Sequence, residues 1–108
     1  MEYVTLRNGV IMPKLGFGVF QVSGDETARC VSDAIGVGYR HIDTAQSYMN
    51  ESEVGQGIRD SGIDRDELFV TTKVWIEHYG YAQTRESVER SLRRLGLDYL
   101  DLVLLHQP

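Results

Sequence analysis

Apolar and polar positions along this chain alternate between a period near two and a period near 3.6. Residues 3–6 and 10–12 flank Asn8-Gly9, which predicts a short hairpin, because Asn-Gly tolerates the positive φ angles of a two-residue type I′ turn. Residues 15–20, Leu-Gly-Phe-Gly-Val-Phe, form a short apolar run and the next predicted strand. Glycines inside it imply a crowded backbone or a tight exit turn. Ser23 followed by Glu26 reads as a capping box, so a helix should start near Gly24. Ala28, Val31, Ala34 and Ile35 then share one face, and Gly36 and Gly38 stop it. Residues 39–42 read as a second strand. Asn50 with Glu53 opens another helix, with Val54 and Ile58 inward and Ser61-Gly62 as its end. Residues 68–74 are rich in β-branched side chains and make a third strand. A third helix runs roughly from Thr84 to Leu95, with Val88, Leu92 and Leu95 as its stripe and Gly96 as its stop. Residues 101–105 are a fourth, nearly all-apolar strand.

The order is therefore β-α-β-α-β-α-β after a hairpin. Alternating strands and helices imply an α/β fold with a parallel sheet. Near-continuous apolar strands fit a sheet covered on both faces. The βα unit recurs at a spacing of roughly thirty residues, which (β/α)8 barrels and doubly wound sheets share. Residues 1–108 read as one unit, with no boundary and no low-complexity segment.

Composition narrows the classes. A chain of 108 residues can bury a core, and 42% hydrophobic with 25% charged residues is globular usage. A net charge of -5 without a basic stripe argues against a nucleic-acid partner. Arg90, Arg93 and Arg94 read as the wet face of a helix. Cys30 is the sole cysteine, so no intrachain disulfide can form, which fits a reducing compartment. It lies in an apolar-periodic stretch without an adjacent basic partner and reads as a packing residue. Nothing resembles a signal region at Met1–Val4, and no apolar run approaches the length of a membrane span. The expectation is a soluble cytoplasmic protein, with no membrane partner.

Polar residues that break the apolar pattern fall just after strand ends. The second strand runs into Asp43-Thr44-Ala45-Gln46-Ser47-Tyr48, the third ends with Lys73, and the fourth with His106. Active sites of parallel α/β folds gather at the carboxyl ends of strands. Each residue also has a plain structural role: Asp43 as a turn former, Tyr48 as an amphipathic surface aromatic, His106 as a satisfied core histidine. Lys73 is harder to dismiss, because a buried lysine is costly unless paired. Together the four form a proton-handling set suited to carbonyl reduction. Hydride arriving at a carbonyl carbon leaves charge on oxygen, which needs a proton donor. A free phenol, with a pKa near ~10, donates poorly at neutral pH unless an ammonium stabilises the phenolate. A carboxylate keeps that ammonium charged and aimed, and an imidazole orients the carbonyl. This chemistry asks for no metal.

Four stretches together resemble the aldo-keto reductase family. They are His41-Ile42-Asp43-Thr44-Ala45-Gln46-Ser47-Tyr48 with Asn50-Glu51 and Glu53-Val54-Gly55; Phe69-Val70-Thr71-Thr72-Lys73-Val74-Trp75; Asn8-Gly9-Val10 through Leu15-Gly16-Phe17-Gly18; and Leu104-Leu105-His106-Gln107-Pro108. The nearest flavour is the bacterial group acting on diketo sugar acids and small aldehydes. The resemblance implies a (β/α)8 TIM-type barrel with a hairpin at its bottom, NADPH as hydride donor and a small carbonyl substrate. It implies Tyr48 as proton donor, tuned by Lys73 and Asp43, with His106 positioning the carbonyl. Gly18, Val19, Phe20 and Asp43 would lie by the nicotinamide end of the cofactor. Phe20, Tyr48, Trp75 and His106 would wall the substrate pocket, with His78 and Tyr79 at its rim. His41 is assigned to packing.

Such barrels need about 250 residues, so this chain is expected to supply the N-terminal half. Most of the cofactor site would then lie in a C-terminal half. Gly16-x-Gly18 is no dinucleotide fingerprint, because the third glycine is missing. A half barrel has open sheet edges, which invite self-association or pairing with a C-terminal half. The isolated chain is then expected to be inactive. The alternatives to a reductase are a truncated, associating fragment and a nucleotide-sensing binding subunit.

Overall fold

In the computed structural model, which describes residues 1–107, two antiparallel strands precede a four-stranded parallel sheet. Strands β1 (Tyr3–Thr5) and β2 (Ile11–Pro13) pair with Tyr3 opposite Pro13 and Thr5 opposite Ile11. The turn between them departs from the predicted type I′. Gly9 N–H donates to the Leu6 carbonyl and Leu6 N–H to Val10, and Gly9 alone takes a positive φ, of 87°. That is a three-residue loop with a left-handed glycine at its close, and the Asn8 side chain accepts from Val10 N–H instead of taking the left-handed conformation.

The sheet runs β3 (Phe17–Gly18), β4 (His41–Asp43), β5 (Phe69–Val74), β6 (Leu102–Leu105) in that order, every pair parallel. Helices α1 (Gly24–Gly36), α2 (Glu51–Ser61) and α3 (Tyr81–Leu95) connect them. The first sheet strand keeps only two residues of the predicted six. Helix α3 starts three residues before its predicted Thr84, on Gly80 at φ 108°. There the Thr84 hydroxyl bonds the His78 carbonyl. Pro108, the last residue of the fourth motif, lies outside the described residues.

Both polar start signals locate their helices, yet neither side chain caps one. Ser23 makes no side-chain cap bond; its carbonyl instead accepts from the Thr27 hydroxyl at 2.7 Å. The Asn50 amide nitrogen donates to the carbonyls of Val19 and Val22 and to Thr27 Oγ1. Asn50 thus ties the head of α2 to the loop that follows β3.

The core lies between the sheet and the helices, built on Val19, Val31, Ile35, Ile42, Val54, Ile58, Val70 and Leu95. As predicted, Val31, Ala34 and Ile35 of α1 and Val54 and Ile58 of α2 face inward. On α3 the fully buried positions are Ser87, Ser91 and Leu95, whereas Val88 and Leu92 are half-buried. Two glycines let α2 pack close. A Cβ on Gly57 would lie 2.5 Å from the Ala28 carbonyl oxygen, and one on Gly55 would lie 2.1 Å from that of Leu95. Cys30 is half-buried, as a packing residue should be.

Coverage of the sheet is uneven. Strand β5 is buried along most of its length. On β6, Val103, Leu104 and Leu105 are exposed, so the expected two-sided burial fails there. Leu104 pairs with Lys73 and shares its face, while Val103 and Leu105 pair with Thr72 and Val74. No helix among the described residues is long and apolar enough to cross a membrane.

Candidate active site

Strand alternation puts the chemistry on one face. Asp43 pairs with Thr71, and Lys73 with Leu104, so these side chains share the face away from the helices, with Gly18 leaving that face bare beside Asp43. Asp43 and Lys73 stand at or near the carboxyl ends of β4 and β5. His106 follows β6, its N–H bonded to the Val74 carbonyl. Tyr48 arrives on a 3-10 turn, Gln46–Tyr48, between β4 and α2.

The Lys73 ammonium is the centre of the cluster. It donates to Asp43 Oδ1 at 2.8 Å, to Oδ2 at 3.0 Å and to the Thr44 carbonyl at 3.0 Å. The Tyr48 hydroxyl lies 3.4 Å from the same nitrogen. The Lys73 side chain is 14% exposed and that of Asp43 35%, so the carboxylate compensates a largely dehydrated charge. The Tyr48 ring packs 5.3 Å from Phe20 and 6.0 Å from the His106 imidazole, and Trp75 lies 5.6 Å from that imidazole. Four sequence-predicted chemical groups and two predicted pocket aromatics therefore meet at one mouth.

Val19 does not join them. Its side chain is fully buried in the core, its N–H bonds the Asp43 carbonyl, and its carbonyl accepts from Asn50. Of the predicted nicotinamide loop, only the exposed Gly18 and Phe20 present themselves at the surface. His41 packs as assigned, edge-on to Phe69 with its ring nitrogens near Thr71 Oγ1 and the Pro13 carbonyl.

Several residues that stand in or beside the quoted motifs without an assigned hydrogen-bonding role support the site. Gln46 is buried; its side-chain oxygen accepts from Trp75 N–H at 2.9 Å and its nitrogen donates to Ser91 Oγ at 3.3 Å. This pins the Tyr48-bearing turn to the end of β5 and to α3. Ser47 Oγ lies 3.4 Å from His106 Nδ1, and the Tyr79 hydroxyl donates to the His106 carbonyl. Glu51, buried, accepts from the Thr72 hydroxyl at 2.8 Å and from Arg94 at 3.4 Å. Among the described residues three non-glycines have positive φ: Gln21, Met49 and Gln107. Each directly follows a mouth residue, namely Phe20, Tyr48 or His106. Sparsely populated backbone conformations of this kind cost about 1–3 kcal/mol each and cluster at functional sites.

A model described as the aldo/keto reductase family matches residues 14–108. The chain belongs to the aldo/keto reductase family. It is 57% identical over 105 residues to morphine 6-dehydrogenase of Pseudomonas putida, covering 97% of this chain and 36% of that protein. It is 56% identical over 108 residues to glyoxal reductase of Bacillus subtilis strain 168, covering 99% and 39%. Its fold superposes with a TM-score of 0.95 on an aldo-keto reductase of Bombyx mori solved in complex with NADP, at 40% identity, covering 99% of this chain and 38% of that one. The chain thus spans between a third and two-fifths of the length of these relatives. Its α/β architecture, with a parallel four-stranded sheet and three helices, corresponds to part of this family's (β/α)8-type barrel.

Proposed function

We propose that the protein to which this chain contributes reduces aldehydes or ketones to alcohols with NADPH, and that Tyr48 supplies the proton. The observation that carries this reading is the Lys73 ammonium, 3.4 Å from the Tyr48 hydroxyl and chelated by both Asp43 carboxylate oxygens. Proton donation from Tyr48 leaves a phenolate. The ammonium stabilises that anion where it forms, and Asp43 and the Thr44 carbonyl keep the ammonium aimed. His106 stands across the ring of Tyr48, where its imidazole can orient a carbonyl oxygen toward the hydroxyl. Phe20 and Trp75 close the apolar sides. The identity to glyoxal reductase supports a small carbonyl as substrate.

The residues present fit the nicotinamide end of the cofactor. A Cβ on Gly18 would lie 3.9 Å from Asp43 Oδ2, so glycine leaves the approach to this part-exposed carboxylate open. Gly18, Phe20 and Asp43 would flank the ring and its ribose. When bound, the cofactor supplies the hydride. The family's likeness to an NADP-bound structure supports this choice.

Replacing Tyr48 with Phe removes one hydroxyl and keeps the ring against Phe20. In the intact protein, aldehyde-dependent NADPH oxidation is expected to fall by at least ~10²-fold, the usual scale of positioned acid–base groups, with cofactor affinity nearly unchanged. Retained turnover would refute the proton-donor role.

A further inference from the structure

His106 can donate to a carbonyl oxygen only if the nitrogen facing the mouth carries a proton. Neutral imidazole has one proton and two nitrogens, so the partner of one nitrogen decides the state of the other. Ser47 Oγ stands 3.4 Å from His106 Nδ1. Among the described residues this hydroxyl has no other partner, and His106 Nε2 has none. The ring is otherwise held by apolar and backbone contacts: Trp75 at 5.6 Å, Tyr48 at 6.0 Å, and Tyr79 bonded to the His106 carbonyl.

We propose that Ser47 is a positioning residue: its hydroxyl donates to His106 Nδ1 and holds the neutral imidazole in the Nε2–H tautomer, leaving Nε2 as the donor toward the carbonyl oxygen. This rests on the reading of His106 as the carbonyl-orienting group. The position is one turn residue before the proton donor, so a single 3-10 turn sets both the phenol and the protonation of its neighbour.

His41 provides an opposite case within the same molecule. Its Nδ1 lies 3.4 Å from the Pro13 carbonyl, which can only accept, so this contact favours the proton on Nδ1. Its Nε2 then accepts from the Thr71 hydroxyl at 2.8 Å. The two histidines should therefore be opposite tautomers.

Long-range ¹H–¹⁵N correlation spectra of the intact, histidine-labelled protein, followed to a pH at which they no longer change, read both nitrogens of each neutral ring directly. His106→Gln and His41→Gln each remove one ring's signals and so assign both. The expected pattern is a pyridine-type Nδ1 and a pyrrole-type Nε2 for His106, reversed for His41. Ser47→Ala should lower the tautomer ratio of His106 roughly tenfold, the scale of one hydrogen bond, while His41 is unchanged. Ser47→Thr, which keeps the hydroxyl, should preserve the ratio. An Nδ1–H tautomer in the unmodified protein overturns the proposal, and so does a ratio that Ser47→Ala leaves unmoved. The unmodified spectrum suffices if the alanine variant fails to fold. A tautomer result is independent of the Tyr48→Phe assay, so failure of either reading is seen separately.

Discussion

Two carboxylate oxygens of Asp43 surround the Lys73 ammonium, but the two partners are not equally dehydrated. That asymmetry makes a prediction about stability. Asp43→Ala leaves a charge on Lys73 in a site where water reaches little of the side chain, with only the neutral Thr44 carbonyl and Tyr48 hydroxyl as acceptors. Lys73→Met removes the charge and leaves the more exposed carboxylate to be hydrated. Asp43→Ala should therefore cost more, about 1.5–3 kcal/mol, and Lys73→Met less, as read by urea denaturation. Equal or reversed losses would show that the pair is solvated well enough for burial not to matter. At this scale Asp43, Lys73 and His106 stood out in the sequence as polar groups at the ends of apolar strands, and Tyr48 through the motif that carries it. Ser47 and Gln46 did not. They lie inside the same motif, but serine and glutamine are common in turns, and only the approach of β5, α3 and His106 gives their polar atoms partners. Val19 was misplaced for a related reason: sequence adjacency to Gly18 and Phe20 says nothing about which way its side chain turns, and here it turns into the core.

At the scale of elements, α2 is wedged between α1 and α3 by two glycines that have no freedom to grow. Gly57→Ala would drive a methyl group into the Ala28 carbonyl and the Val31 side chain, 2.5 and 2.7 Å away. The expected loss is about 1–3 kcal/mol, because the backbone must shift. Gly62, at the end of the same helix, has φ 74° but nothing within 4 Å. Gly62→Ala meets only the left-handed penalty of about 1–2 kcal/mol and should not disturb α1. Hydrogen exchange on α1 separates the two: it should rise in Gly57→Ala and stay unchanged in Gly62→Ala. Helix positions were readable from apolar period, Gly stops and polar starts. The capping roles were not, because Ser23 and Asn50 mark a boundary by type while their hydrogen bonds depend on what packs beside them. The Asn50 amide was recruited by the loop after β3, which steadies the backbone just beyond Phe20.

At the scale of the molecule, β6 is the open side. Leu105 is 54% exposed, and Val103 and Leu104 add apolar surface on both faces of the strand. Open strands with exposed apolar side chains recruit other chains. A solution of the 108-residue chain alone is expected to scatter light as a species larger than a monomer, and Leu105→Lys to shift it toward monomer. A monomeric unmodified chain would sink that expectation.

The order of elements and the parallel sheet followed from the chain alone, because period and turn chemistry are local properties; the family followed from the resemblance of four motifs in register, and the roles of the four chemical residues are what that resemblance implies. The convergence of Asp43, Tyr48, Lys73 and His106 needed the sheet register, which brings residues from different strands within hydrogen-bond distance. So did the left-handed backbone after Phe20, Tyr48 and His106, on residues whose types do not advertise it. Distances, partners and strain are properties of packed elements, and no pattern along one strand can state what lies across from it.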